Sequence, residues 1–518
     1  MQNIIKKILI VGGGTAGWLT AARLAKHFKD LAVSPIEVCL VESANIPTIG
    51  VGEGTWPTIR DTLKALEISE TEFINSCEAT FKQGAKFVNW KHEPTDGQDT
   101  YYHHLFTSLY DPWDFNLAPY WSKGVAGDVS YAEAVSMQSE VCEAGLAPKS
   151  ISTAQYEGLQ GYAYHLDAAK FAALLQEKAV NNFGVRHIIA DIDHVSVGDE
   201  GAIEHVVTSE GLTLEADLFI DCSGFKSMLL GNALNVPFID LSDTLFVNRA
   251  VALQVPYENE QAPVACETIS TAQSEGWIWD IGLQSRRGMG FVYCDKYLTQ
   301  EEAEKRLRKY AGQDTSKIVA KHLSFQVGYR EKFWHKNCVA IGLSAAFVEP
   351  LEASAIFLVE AAVNMLCDKF PHSRSEFNFI EKQFNDSFSF RWNKTIEFIK
   401  MHYVLSNRND GPFWQDNKRE QSIPLGLQEK LNHWRTNPLS KYDFSHAFEP
   451  FVMDSYQYVL YGMGFKTDLS RYHFSDKHLK KAEDMFSAVT KYKPIVHQKL
   501  PTHRELLNKL KEYSFPKV

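Results

Sequence analysis

The chain has 518 residues, 45% hydrophobic and 23% charged. These are globular proportions that exclude disorder and fibres, and the length points to two or three domain-sized modules. Its formal charge is −11, which argues against a phosphate-backbone binder and so against nucleic acid as a partner.

No run reaches the ~18 to 20 apolar residues of a membrane helix, and the N-terminal apolar run is too short for an export signal. The eight cysteines contain no CxxC pair. That excludes a zinc ribbon and a thioredoxin-type dithiol and suits reduced thiols, so a cytoplasmic protein with no metal and no membrane partner is expected.

In chain order, Ile4 to Val11 is a short apolar run that ends at Gly12-Gly13-Gly14. Thr15 to Phe28 then carries Ala16, Leu19, Ala22, Ala25 and Phe28 at helical spacing, and Ile36 to Val41 is a second β-branched run closed by Glu42. This predicts a strand, a glycine turn, a helix and a strand. Downstream, Leu166 to Val180 predicts a helix and Val185 to Ile189 a strand. Leu218 to Asp221 predicts a buried strand running into Cys222-Ser223-Gly224, and Cys338 to Gly342 another that leads to a helix near Ala355. Between 245 and 293, the segments ALQVP, GWIWDIGL and GMGFVY suggest an antiparallel sheet. Past about residue 370 the pattern is helical and aromatic.

Gly12, Gly14 and Gly17 form a GxGxxG pattern, with Glu42 25 residues beyond Gly17 at the next strand end. Strand before, helix after and acid beyond are the context a dinucleotide site needs. Gly12 permits the turn, Gly14 the approach of a pyrophosphate, and Gly17 close helix packing. Thr15 and Ala16 open the helix whose N-terminus favours the anion, and Glu42 would accept from a ribose hydroxyl. Asp221, Gly224, Gly342 and Leu343 at later strand ends fit a flavin that is contacted well downstream. With one such pattern there is no second nucleotide domain for NADPH, so reduction must come from outside. The fold expected is α/β: a Rossmann-like FAD-binding module over 1–370, with inserted segments at about 80–160 and 235–335 and an antiparallel sheet. Residues 371–518 are expected to form a mainly helical substrate-pocket portion packed on the first.

GGGTAGW (12–18), IGVGEGTWP (49–57), FKQGAKFVNW (81–90), GWIWDIG (276–282) and FVEPLEASAI (347–356) resemble, in order, the motifs of flavin-dependent tryptophan halogenases. The resemblance implies that FADH2, supplied by a separate flavin reductase, reacts with O2 and a halide ion, chloride or bromide. Hypohalous acid results and passes through a tunnel to a lysine beside an indolic aromatic substrate. Lys82 matches that lysine, acting through a hydrogen bond or a haloamine, with Lys86 as the local rival. Glu352 matches the essential carboxylate that stabilises or deprotonates the cationic intermediate, with Glu349 as its rival. Backbone N–H groups of Ser354 and Ala355 match the halide site, although Ala353 and Ala355 stand where many members carry Ser and Gly. Gly50, Gly52 and Glu53 match a strap over the flavin, Ile356 a further cofactor contact, and Trp277 and Trp279 the wall between flavin chamber and tunnel. His104 and Phe106 match positions that stack on indole. No amino-acid clamp is identifiable in the C-terminal part, where Ser455 to Phe465 is aromatic enough to line a pocket.

Two other readings share the scaffold. One is an FAD-dependent aromatic hydroxylase, which would need NAD(P)H reduction of its own; the other is a non-catalytic flavin- or indole-binding protein. A homodimer is the default assembly.

Overall fold

The computed structural model describes residues 4–31, 36–46, 52–108, 110–444 and 446–517. The chain divides into two compact units, each made of three separated stretches. The first comprises 1–78, 166–242 and 325–392, the second 79–165, 243–324 and 393–518.

The first unit is built on a six-stranded sheet in the order Trp334–His335, Cys338–Ala340, Leu218–Asp221, Lys7–Val11, Glu37–Glu42, Arg186–Ile189. The last five strands run parallel, and only the Trp334–His335 edge is antiparallel. Continuous apolar runs such as ILIV and LFI suit strands covered on both faces. Helix Thr15–Leu31 packs against helices Ala355–Asp368 and Ala168–Glu177. The expected 166–180 helix is shorter as a regular α-helix. Asp167 caps it by accepting from the Lys170 N–H, and the chain winds through a wide turn at Lys178–Asn182 before the next strand.

The second unit holds a seven-stranded sheet in the order Lys321–Ser324, Arg249–Pro256, Arg286–Tyr293, Gly276–Gly282, Thr268–Gln273, Gly84–Val88, Tyr101–Leu105. It is antiparallel except where Gly84–Val88 runs parallel to Thr268–Gln273. Val251, Leu253, Val255, Ile278, Met289 and Phe291 meet Ala303, Leu307 and Ala311 of helix Gln300–Ala311 on one face. The period of two then turns Trp277 and Trp279 to the other face. A short strand, Thr80–Lys82, pairs antiparallel with residues 163–165. Helices Met453–Gly462, Asp476–Lys499 and His503–Leu510 complete this unit.

All eight cysteines are buried free thiols. Among the described residues no helix is long and apolar enough to cross a membrane.

Candidate active site

In the first unit the glycine turn is dictated by close approach. Gly12 has φ +112°, and a Cβ there would fall on the Cys222 carbonyl. A Cβ on Gly17 would fall on the Gly12 carbonyl, whereas one on Gly14 would meet nothing within 4 Å. The open spot therefore lies at the start of a 17-residue helix whose first turn carries no acidic residue, and there free N–H groups and the helix dipole favour an anion. Glu42 ends the neighbouring strand, and His187 Nε2 holds its carboxylate at 2.8 Å. Open space, donors and a fixed acceptor fit the pyrophosphate and ribose of a dinucleotide.

The later strand ends converge on this turn. Gly342 has φ +77°, and a Cβ there would press on Ala16. Leu343 follows, half-buried, and Ile356 is buried in the helix beyond. Asp221 is fully buried; its carboxylate accepts from the N–H groups of Ser223, Leu229 and Leu230. Its side chain thus organises the loop that contains Gly224, which has φ +71°. Gly50 lies outside the described residues. Gly52 is buried with φ +81°, and burial pushes the Glu53 carboxyl up to about 7.

The segment before helix Ala355–Asp368 has an uncommon backbone. Glu352 and Ala353 are consecutive left-handed residues, φ +68° and +53°, a strained arrangement for residues other than glycine. The Ser354 side chain does not cap the helix, so the first N–H groups, Ala355's among them, have no intrahelical partner. Glu352 is 8% exposed, and its backbone carbonyl accepts from Trp56 Nε1 at 2.8 Å. The same indole stacks on Phe357, centroids 4.2 Å apart. One turn further on, Glu360 accepts from Thr58 and Thr62 at 3.1 and 2.5 Å; burial outweighs these bonds and lifts its carboxyl to about 7. Glu349, the rival of Glu352, is also buried.

In the second unit Lys82 is 2% exposed, and its Nζ lies 5.4 Å from the centroid of the Phe106 ring. An ammonium over a desolvated aromatic face gains about 2 kcal/mol. Thr80 pairs with His165 across the short ladder, so Lys82 and His165 are diagonal neighbours on one face. His165 is fully buried and its Nε2 meets Thr268 Oγ1 at 2.8 Å. Burial, with the Lys82 charge beside it, holds the imidazole well below its usual range, hence neutral. The rival Lys86 belongs to another network. Directly opposite His103 in the sheet, it donates to Glu143 at 2.6 Å and lies 3.9 Å over Tyr101.

His103 bridges Glu267 and Glu143 at 2.7 and 3.1 Å. Among the described residues these three form the one group whose ligand atoms lie within 4.8 Å of one another. Burial alone would push His103 down, but the two carboxylates outweigh it and hold the imidazolium up to about 9. The cations of Lys86 and His103 thus already match the two carboxylates.

His104 faces the opposite side of that strand, among Phe398, Phe451 and Tyr458 at 5.7, 6.4 and 6.1 Å. Tyr458 belongs to the aromatic segment 455–465, and its hydroxyl donates to the Thr107 carbonyl at 2.9 Å. Nearby, burial raises the Asp454 carboxyl against the pull of His104. Trp277 and Trp279 meet edge to face at 6.4 Å. Trp279 lies over Gly290, where any Cβ would fall inside the indole. Trp277 is buried, and its Nε1 has no hydrogen-bond partner among the described residues.

Trp56, His165, His503, Phe398 and Phe451 are not identifiable as site residues from the sequence. Trp56 stood inside a quoted motif, but its partner is 296 residues away. His165 carried no local signal at all.

The family model described as tryptophan halogenase matches residues 7–476. The 7-chloro-L-tryptophan 6-halogenase KtzR of Kutzneria sp. (strain 744) is 34% identical, over 97% of this chain and 99% of that protein. The solved structure of a tryptophan halogenase from Shewanella frigidimarina NCIMB 400 superposes with a TM-score of 0.96 at 42% identity, covering 100% of both chains. Tar14, a tryptophan C-6 flavin-dependent halogenase (chlorinase) from taromycin biosynthesis, gives a TM-score of 0.88 at 34% identity, over 98% of this chain and all of that one.

Proposed function

Because the chain belongs to the tryptophan halogenase family, we propose that it halogenates an indole-type aromatic at Lys82, with FADH2 from a separate reductase, O2 and chloride or bromide. It is a flavin-dependent halogenase. When bound, the reduced flavin supplies with O2 the oxidising power that turns halide into hypohalous acid.

The chain's own residues have separable tasks. The turn at Gly12, Gly14 and Gly17 and the N–H groups of Thr15 and Ala16 receive the pyrophosphate, and Glu42 takes the ribose. Gly52 and Glu53 contribute to covering the cofactor. The N–H groups of Ser354 and Ala355 donate to the halide, from a position fixed by the left-handed pair before them. Trp277 and Trp279 keep the organic substrate off the flavin.

Lys82 receives the oxidant. Its ammonium donates to hypohalous acid and polarises the O–X bond, or its amine exchanges a proton for halogen and releases water. Neutral His165 adds no second positive charge there, so the lysine is the local electrophile-activating group. His104 and Phe106 supply aromatic faces for the indole ring. Glu352 stabilises the ring cation and accepts its proton. Holding the halogen on one nitrogen gives regiochemistry that a diffusing oxidant lacks.

The observation that carries this reading is the buried ammonium of Lys82 over Phe106, beside an imidazole kept neutral. The test is Lys82→Ala, assayed with reductase, both halides and a panel of indoles by mass spectrometry. Halogenated product should fall by roughly 10²-fold or more, with flavin oxidation unchanged. Product formed at the parent rate would refute the role of Lys82. Substrate-stimulated NAD(P)H consumption without added reductase would instead indicate a hydroxylase.

A further inference from the structure

Resting on that assignment of Lys82, we propose that His503 is a positioning residue for the reaction: from the C-terminal helix it holds the strand that carries the lysine. His503 lies beyond residue 476, where the match to the family model ends.

The strand Thr80–Lys82 is only three residues long, and residues 163–165 pair with one of its edges. The backbone N–H of Phe81 is taken not by another strand but by His503 Nε2, at 3.0 Å in a buried setting. The other ring nitrogen of His503 lies 3.2 Å from the Val264 carbonyl. One nitrogen accepts and the other donates, which fixes the neutral tautomer with its proton on Nδ1. Burial supports that state by holding the imidazole down to about 4. A charged ring would have no acceptor to offer Phe81.

The anchor is itself tied down on several sides. Thr502 closes a capping box with Glu505. The His503 N–H donates to the Gly145 carbonyl at 2.8 Å. Arg504 donates to the carbonyls of Ala262 and Gln284 at 2.8 and 2.7 Å. The Phe81 ring rests against His503 and Phe515, at 5.8 and 6.4 Å. Strand alternation then sends Phe81 toward the C-terminal segment and Lys82 to the opposite face, with His165. The imidazole therefore sets the backbone at 81, and with it the Lys82 Cα one peptide along, without touching the ammonium. A displacement of about 1 Å at such a site can cost about 10²-fold in rate.

The test uses the full chain with FAD, a reductase, halide and indole, plus a soluble 1,3-diketone that traps escaped hypohalous acid. In His503→Ala, flavin oxidation and the sum of halogenated indole and trapped oxidant should stay within about twofold, while halogenated indole falls about tenfold or more through kcat rather than KM and the trapped share rises by what indole loses. His503→Gln, whose side-chain carbonyl can accept the same N–H, should restore coupling to within about threefold. Hydrogen exchange at the Phe81 amide should speed up in the alanine variant and not in the glutamine one.

Parent-like coupling in folded His503→Ala overturns the proposal, and so does flavin oxidation that falls in parallel with halogenation. If His503→Ala does not fold, His503→Asn replaces it. Its shorter side chain should couple less well than His503→Gln at equal flavin oxidation, and equal coupling overturns the idea. Product persisting in Lys82→Ala refutes the underlying role of the lysine and removes this proposal with it, whatever the His503 variants do.

Discussion

The indole N–H of Trp56 donates to the backbone carbonyl of Glu352 at 2.8 Å, while the same ring stacks on Phe357 in the first turn of the following helix. One side chain thus ties both ends of the segment 352–357, whose first two residues sit in left-handed conformation. Trp56→Phe keeps the stack and deletes the donor. A lost hydrogen bond of about 1 kcal/mol should appear as a several-fold rise in the halide KM, with the indole KM unchanged. Equal changes in both constants would argue against a role in shaping the halide loop.

Glu352→Gln preserves size and removes the negative charge opposite the proposed ring cation. Halogenation should fall by about 10²-fold, while flavin affinity and the rate of flavin oxidation hold. Steady-state product analysis beside a flavin-binding titration checks this, and loss of flavin binding would place Glu352 in a different role.

Gly14 differs from its neighbours in having empty space where a Cβ would stand. Gly14→Ala should leave the melting temperature of the flavin-free chain within about 1 °C, a near-neutral change. Its flavin Kd should rise tenfold or more, because the methyl occupies the path of the pyrophosphate. Gly12→Ala meets the Cys222 carbonyl at a positive φ and should lower stability even without flavin. A Gly14→Ala chain that binds flavin normally would show that the pyrophosphate lies elsewhere.

The His103 network predicts a pH profile of stability. The folded-state pKa of His103 is raised to about 9, so its contribution is complete below the unfolded value near 6.5 and is lost as pH rises through 9. The hydrogen bond from His103, with Lys86 adding to it, holds Glu143 down to about 2 against burial. That contribution is present above the unfolded value near 4.5 and is lost as pH falls toward 2. Melting temperature should therefore decline between pH 7 and 10, and His103→Gln should flatten that alkaline limb. An unaltered limb in the variant would locate the alkaline sensitivity in another group.

The parts of the fold legible in the sequence are those fixed by near neighbours. The strand, glycine turn and helix from Lys7 to Leu31 could be drawn because sterics at Gly12 and Gly17 act within a few residues. The alternation of GWIWDIG correctly put Trp277 and Trp279 on one face. Pairings over long separations were not legible. Hydrophobic periodicity says which face is buried and not what covers it, so nothing in FKQGAKFVNW announced His503, 422 residues away. For the same reason the parallel register of Gly84–Val88 with Thr268–Gln273, which builds one sheet from distant stretches, had no local signature. Lys82 and Phe106 were both named from the resemblance, and they are brought within 5.4 Å. Tyr458 is legible only as part of an aromatic segment, because its neighbour His104 comes from another stretch of chain.

The placement of the cysteines bears on the protein's survival of its own chemistry. Sulfur in its ionised form is what hypohalites attack most readily. Here burial raises the pKa of every one of the eight thiols. A halogenase thus keeps its thiols protonated and within the packed interior. Its working lifetime should be limited by damage to surface side chains and not by loss of sulfhydryls.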